Sequence, residues 1–288
     1  MKYQLVLASI ICCSVAMAQS TKSNNFRLDQ DYQMDAKGII YLNSSDAKVF
    51  ITGAQRPNAH VKIDRVVNTK GFVFGEEEFL VEVTEQNGNL SIKERSNGSH
   101  VGIVGYHHES YVIKIEAPLG ASLVIRGDDG DYFIEKINGA VDLDLDDADV
   151  ELTACGGTDF RVRLDDGDLR MDAGRGLLEL DADDADVLIK NAAFTKIMAT
   201  LDDGDFVVET AITDDGDYFI DGQDGLISLT VLGGGGRFDI RHDDARVITE
   251  GSFSTVEKSD DRTRLTLGSG TAKVDIRADD ARVKLIRQ

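Results

Sequence analysis

Leu143-Asp-Leu-Asp-Asp-Ala-Asp-Val-Glu-Leu152 decides how this chain folds. Val141, Leu143 and Leu145 alternate with polar residues, so they share one face of an extended strand. Two polar residues then follow in succession, Asp146 and Asp147. Beyond them the apolar parity resumes one step shifted, at Ala148, Val150 and Leu152. A parity shift across two outward residues marks a bend between two strands. The other end of the unit carries turn residues: Asn138-Gly139, Gly156-Gly157 and Gly174-Arg175-Gly176. One unit is therefore strand, acidic bend, strand, glycine bend.

The unit recurs. The first Asp of each pair stands at 128, 146, 165, 183 and 202, at intervals of 18, 19, 18 and 19. A further pair at 214 is out of phase, and pairs at 243, 260 and 279 resume the pattern, with glycines at 233–236 where another pair is expected. The residue after the pair alternates: Gly130, Ala148, Gly167, Ala185, Gly204. A single unit cannot bury its apolar face, but stacked units can. The chain reads as all-β, a β-solenoid of 18–19-residue units with coils about 4.8 Å apart, each holding one unit or two. The expected core includes Val150, Leu152, Val162, Leu164, Leu180 and Val187, with Asp142, Asp144, Asp149 and Glu151 outside.

The remainder frames this repeat. Residues 1–18 read as a secretory signal peptide: Lys2, an apolar stretch Leu5–Val15, and Ala16-Met17-Ala18 before the cut. Ile10-Ile11 before Cys12 do not suit a lipid-anchored cysteine. Residues 19–38 form an N-terminal segment, 39–118 a less regular β region continuous with the solenoid, and 119–288 the repetitive solenoid. Tyr41-Leu-Asn-Ser-Ser-Asp-Ala-Lys-Val-Phe-Ile-Thr-Gly53 is a worn unit with Ala47, Val49 and Ile51 inward. Phe79–Glu94 reads as a hairpin with Asn87-Gly88 at its tip. A break is expected at Pro118 and a loop over Gly98–Glu109.

The full chain has 31 basic and 52 acidic residues, a net charge of -21. Such a surface repels phosphate backbones, so a nucleic-acid partner is excluded. No later apolar stretch is long enough for a transmembrane helix. After the signal only Cys155 remains, so no internal disulfide forms, and Cys155 is expected as an inert turn residue. His107 and His108 are adjacent and would point to opposite faces of a strand, which makes them poor joint ligands.

The run Tyr111–Leu152 resembles the putative-adhesin β-helix domain of bacterial envelope proteins, a domain of unknown function. Pro118 and Gly120 match its Pro-x-Gly step, and Gly130-Asp131 and Gly167-Asp168 match its Gly-Asp repeat. The likeness runs from Ile39 to the C terminus. Here a doubled Asp stands where that family carries Ser or Thr. The resemblance implies a solenoid, export to periplasm, cell surface or medium, and attachment to a protein or glycan partner.

The candidate site residues are the stacked pairs Asp128-Asp129, Asp146-Asp147, Asp165-Asp166, Asp183-Asp184 and Asp202-Asp203. Three roles are open to them. They accept hydrogen bonds from backbone N–H groups at the bends. They bind calcium, with one oxygen from each of two coils about 2.4 Å from a shared ion. They form a docking face for a cationic partner, with Arg246 and Arg282 capping the ladder where a third Asp would stand. No nucleophile motif is present, and carboxylates that recur at every bend speak for structure. The expected function is a non-catalytic binding or structural module at the cell envelope. The alternative is a β-helix lyase or hydrolase acting on polysaccharide through clustered carboxylates.

Overall fold

The structure is a computed structural model, and it describes residues 25–74, 77–98, 102–243 and 245–288. Residues 1–18 lie outside the described residues. The described chain is all-β, with 19 strands in one hydrogen-bonded sheet. Two columns of strands stack along one axis and enclose a single apolar core.

The central rungs follow directly from the parity rule. β8 (Ser122–Glu135) pairs in parallel with β9 (Val141–Thr153), Leu123 opposite Val141, an offset of 18. β9 pairs in parallel with β10 (Asp159–Asp203), Val141 opposite Phe160, an offset of 19. The 45-residue β10 passes up the stack through successive rungs. Its Val187 lies opposite Phe206 of β11 (Asp205–Ala211), again 19 residues on. Neighbouring rungs thus differ by one unit, so one coil contains one unit. Gly130 lies opposite Ala148, which puts the glycine and alanine bends on the same edge.

Later offsets are longer. Ile197 lies opposite Tyr218 in β12 (Asp217–Gly222), and Phe206 opposite Ile227 in β13 (Leu226–Gly233), both 21 residues apart.

Core positions are those the alternation selects. Val150, Leu152, Val162, Leu164, Leu180 and Val187 are all buried, as are Ala47, Val49 and Ile51. Asp144, Asp149 and Glu151 are exposed; Asp142 is half-buried because Arg126 lies across it, 2.9 Å away.

Both ends depart from sequence order. At one end, β2 (Ile39–Ser44) and β3 (Ala47–Ala54) form a coil that pairs with β8 on one side. On its other side lies a coil made of β6 (Asn89–Gly98) and β7 (Gly102–Pro118), which comes later in the chain. β5 (Glu77–Gln86) covers β6, and β4 (Asn58–Phe74) covers β7, both antiparallel. β1 (Phe26–Gln33) lies antiparallel on β4. The β5–β6 hairpin turns at Asn87 and Gly88, both at positive φ, as expected. The expected loop over Gly98–Glu109 is not a loop from Gly102 onward: β7 runs through it, paired with β4 as far as Phe74 opposite Gly102. Glycines and histidines suggested a turn, but the antiparallel partner supplies hydrogen bonds to every rung, which overrides weak local propensity.

The other end mirrors this arrangement. β14 (Gly236–His242) and β15 (Arg246–Glu250) form a coil, and the hairpin of β16 (Phe253–Lys258) and β17 (Arg262–Leu267) covers β14. The last coil, β18 (Ala272–Ala278) and β19 (Arg282–Arg287), inserts between β12–β13 and β14–β15. The glycines at 233–236 therefore serve the glycine bend and the start of β14, not a vacant acidic bend.

Candidate functional site: the acidic edge

All five predicted pairs lie at the same bend of successive rungs. Asp129 is opposite Asp147, and Asp147 opposite Asp166. Asp165, Asp183 and Asp202 line one shallow cleft of about 180 Å³ with Asp181 and Arg163. The edge therefore carries two columns of carboxylates. A third column stands one step inward, where Asp131 lies opposite Asp149 and Asp168, Asp186 and Asp205 hold the equivalent place.

The third column makes the hydrogen bonds that the bends require. The Asp205 N–H donates to Asp186 Oδ1 at 2.9 Å, and the Leu226 N–H donates to Asp205 Oδ1 at 3.0 Å. Lys48 caps the lower end of this column against Asp131 at 2.9 Å. At the upper end the sign changes: Leu226 lies opposite Arg282, and Arg282 opposite Arg246. Among the described residues neither arginine has an ion-pair partner, so they end the column without pairing to it.

Two predicted members of the repeat lie elsewhere. Asp214-Asp215 sit in the opposite turn, beside Tyr218, whose hydroxyl donates to Phe194 O at 2.7 Å and accepts from Thr213 N–H at 3.0 Å. Asp260-Asp261 form the tip of the β16–β17 hairpin, where Ser259 Oγ donates to Asp261 at 2.7 Å. Their places on the edge fall to residues with weaker signals. Gln223-Asp224 takes the rung above Asp202, the Asp224 N–H donating to Asp202 O at 3.0 Å. Ser45-Asp46 takes the rung below Asp128. Both keep one Asp followed by Gly or Ala, which is the part of the motif that could have found them. Asp279-Asp280 and Asp243 follow in space in that order, the Asp280 N–H donating to Gln223 O at 2.9 Å and the Asp243 N–H to Ala278 O at 3.1 Å.

Stacking has an electrostatic consequence. Partial desolvation, then the neighbouring Asp202, Asp184 and Asp165 carboxylates, raise the Asp183 pKa above its ordinary value. Desolvation, then Asp129, Glu94 and Glu109, raise that of Asp46. Glu94 is held there by Ser45, whose N–H and hydroxyl donate to it at 3.0 and 2.6 Å. Behind this lower end the Arg65 guanidinium pairs with Glu109 and lies 4.1 Å from the Phe79 ring centre.

Charge is strongly segregated along the axis. Residues 119–235 carry 8 basic against 29 acidic residues, a net of -21. Residues 1–118 carry 12 against 13, and residues 236–288 carry 11 against 10. The whole excess sits on the middle rungs, and both ends are near neutral.

The remaining candidates stay apart from this edge. Cys155 is buried in the β9–β10 turn, its thiol pKa pushed up chiefly by burial. His107 and His108 are exposed on β7, with Thr69 and Asn68 opposite them. Among the described residues no three His, Cys, Asp or Glu side chains converge on one point where an ion could sit, and no helix is long and apolar enough to cross a membrane.

Stacked two-strand coils closed by antiparallel caps define a β-solenoid-like domain. The chain belongs to the Toastrack DUF4097 family, whose profile matches residues 39–285. The Pro118, Gly120 and Gly-Asp steps that carry the resemblance to adhesin-like domains fall inside that span. Solved structures similar to it include a putative adhesin from Bacteroides fragilis, with 12% identity, TM-score 0.44, and coverage of 90% of this chain and 97% of that one. A putative adhesin from Parabacteroides merdae has 11% identity and TM-score 0.32, covering 91% and 97%. A putative lipid binding protein from Parabacteroides distasonis has 10% identity and TM-score 0.32, covering 91% and 98%. Likenesses this distant say nothing about what this chain binds. No curated protein matches it.

Proposed function

We propose that this protein is an exported, non-catalytic binding module of the bacterial envelope whose acidic edge docks a cationic partner. One observation carries the proposal: the carboxylate columns repeat on successive rungs, over a net of -21 on the middle of the chain. A catalytic centre concentrates its groups at one place. A docking edge spreads them, and gains affinity and encounter rate from the summed field. The domain-scale attachment implied by the adhesin resemblance fits such a face.

Binding of a fluorescent polylysine, with neutral dextran as control, tests this. Asn replacement of Asp165 and Asp166 should weaken binding by less than about threefold, and replacing all five pairs should abolish it, with steep loss in salt. Loss confined to one rung, or binding indifferent to salt, would sink the proposal. Crosslinking in fractionated producing cells then identifies the natural partner and its compartment. Calcium is a proposed ligand of the same stacked pairs. Stabilisation by calcium beyond that of magnesium at equal ionic strength would assign it to them, and equal effects would assign screening alone.

A polysaccharide-acting reading has one observation in its favour: the register of Ala47 opposite Gly130 sets Asp46 beside Asp129, and desolvation, then Asp129, Glu94 and Glu109, raise the Asp46 pKa. Its test is turnover of a glycan panel that Asp46→Asn abolishes.

A further inference from the structure

We propose that two copies of this chain pair about a twofold axis through the end carrying β14 and β15, each setting its β16–β17 hairpin into the recess beyond β15 of the other. At this end the two columns differ in height by two strands. β14 is followed in its column by β17 and then β16, whereas among the described residues β15 pairs with β19 alone. Projection and recess are therefore both two strands deep. A twofold axis along the strand direction exchanges the columns, so the hairpin of each copy takes the two rungs that the other leaves empty. One stack then runs β14, β17, β16 and, from the second copy, β15 and β19. The other stack is its mirror in order, and no rung is filled twice.

Strand direction agrees. β14 and β15 are joined through the acidic bend and run oppositely. β17 is antiparallel to β14 and β16 antiparallel to β17, so β16 also runs opposite to β15. Rotation about the strand direction preserves that direction, so β16 meets β15 of the other copy as an antiparallel pair, with the core-facing sides of both strands turned the same way. Unpaired N–H and C=O groups of a strand edge are a template for such addition.

The core is uncovered at this recess. Thr249 stands opposite buried Leu285 and Thr255 opposite buried Leu265, so both hold core-facing positions, yet both are exposed. Val247 and Phe253 pack on the core and remain half-buried, and Val256 of β16 is 65% exposed. A cleft of about 480 Å³ beside β15 is lined by Ala245, Val247, Ile248, His242 and Thr263, with Arg246 and Lys258.

Charge agrees as well. Arg246 begins β15 at the acidic-bend end and has no ion-pair partner among the described residues. The hairpin tip lies at the same end, since the His242 N–H donates to Asp261 O at 3.0 Å. Pairing therefore brings exposed Asp260 of one copy to Arg246 of the other. Residues 236–288 carry 11 basic against 10 acidic residues, so near-neutral ends meet and the two middles, each with a net of -21, stay apart. Both acidic edges face one way. The contact is isologous and closes on itself, so it stops at two chains.

Sedimentation velocity on the whole protein tests this. The weight-average mass should rise with protein concentration and level off at two chains. Thr255→Asp buries a carboxylate at the contact in each copy. It should leave a monomer with unchanged circular dichroism, because Thr255 is exposed in the single chain. Arg246→Glu and Asp260→Arg should each raise the dissociation constant at least about tenfold, since each sets like charges together at both symmetric contacts. An equimolar mixture of those two variants should restore the dimer, because each contact then joins opposite charges. A monomer at every concentration would overturn association altogether. Growth beyond two chains, or a mixture that binds no more tightly than either variant alone, would overturn the twofold arrangement.

Discussion

At the residue after each acidic pair the backbone alternates between two solutions. Gly167 turns with φ near +108°, and a Cβ there would stand 2.3 Å from Ala148 O. Gly130 and Gly204 have the same character, against the carbonyls of Ala47 and Ala185. Ala148 and Ala185, in the rungs between, point their methyl groups into the core. A glycine rung thus lets its backbone close onto the alanine rung below. Gly167→Val should both strain φ and collide with a carbonyl. We expect a loss of at least about 1–3 kcal/mol, seen as a lower urea midpoint, whereas Thr158→Val at an exposed turn should change little. Val150 is buried at 2% exposure. Val150→Asp places an unpaired carboxylate in the core and should cost several kcal/mol. A variant melting within a degree or two of the parent would refute the register.

Among elements, the interleaved end coils set the cooperativity. β18 and β19 come last in the chain yet fill a slot between β12–β13 and β14–β15. Without them β12 to β15 lose a parallel neighbour, and the core residues Val274, Ile276, Val283 and Leu285 are gone. The chain must lay β14 and β15 down at a distance and close the gap afterwards. Truncation before Thr271 should therefore raise amide exchange across β14 and β17 to near the unprotected rate, while β9 and β10 stay protected. Protection retained in β14 would mean that the hairpin of β16 and β17 holds that strand by itself. The same non-local closure at the first end, where β2–β3 sits between β7 and β8, predicts slow folding for a chain of this size.

For the whole molecule, pH dependence follows from the carboxylate columns. Two charges about 5 Å apart repel by roughly 0.8 kcal/mol in water, and the repulsion recurs at each rung. The folded-state pKa values of Asp46 and Asp183 lie above their unfolded values. The folded chain therefore holds protons that the unfolded chain releases. That contribution is complete below the unfolded pKa and is lost as pH rises through the folded one. Asp239 and Asp261 act in the opposite sense. A side-chain hydrogen bond from Arg262, 2.7 Å away, lowers the pKa of Asp239, and one from Ser259 lowers that of Asp261. Their contribution is present above the unfolded pKa and lost as pH falls through the folded one. Melting temperature should therefore peak just above the ordinary carboxylate range and be higher near pH 5 than near pH 7.5. Divalent cations at pH 7.5 should recover part of the difference. A flat profile between those pH values would show that solvent screens the columns completely.

Local rules settled much of this protein from sequence. Side-chain parity in LDLDDADVEL fixed which residues face the core, because a strand turns every second residue to the same side. The pair of outward Asp residues fixed the bend, and glycine after it fixed where the backbone closes on its neighbour. Asn87-Gly88 fixed a hairpin, because both residues accept positive φ. What the sequence left open was the order of coils in space. Any coil of matching parity can stack on any other, since rung-to-rung hydrogen bonds are made by backbone groups that carry no identity. The pairs at 214 and 260 look like edge members and are not, while Gln223-Asp224 and Ser45-Asp46 hold the edge in their place. Only the closed stack, with its two inserted coils and its antiparallel caps, determines which carboxylates become neighbours. Their mutual repulsion belongs to that stack.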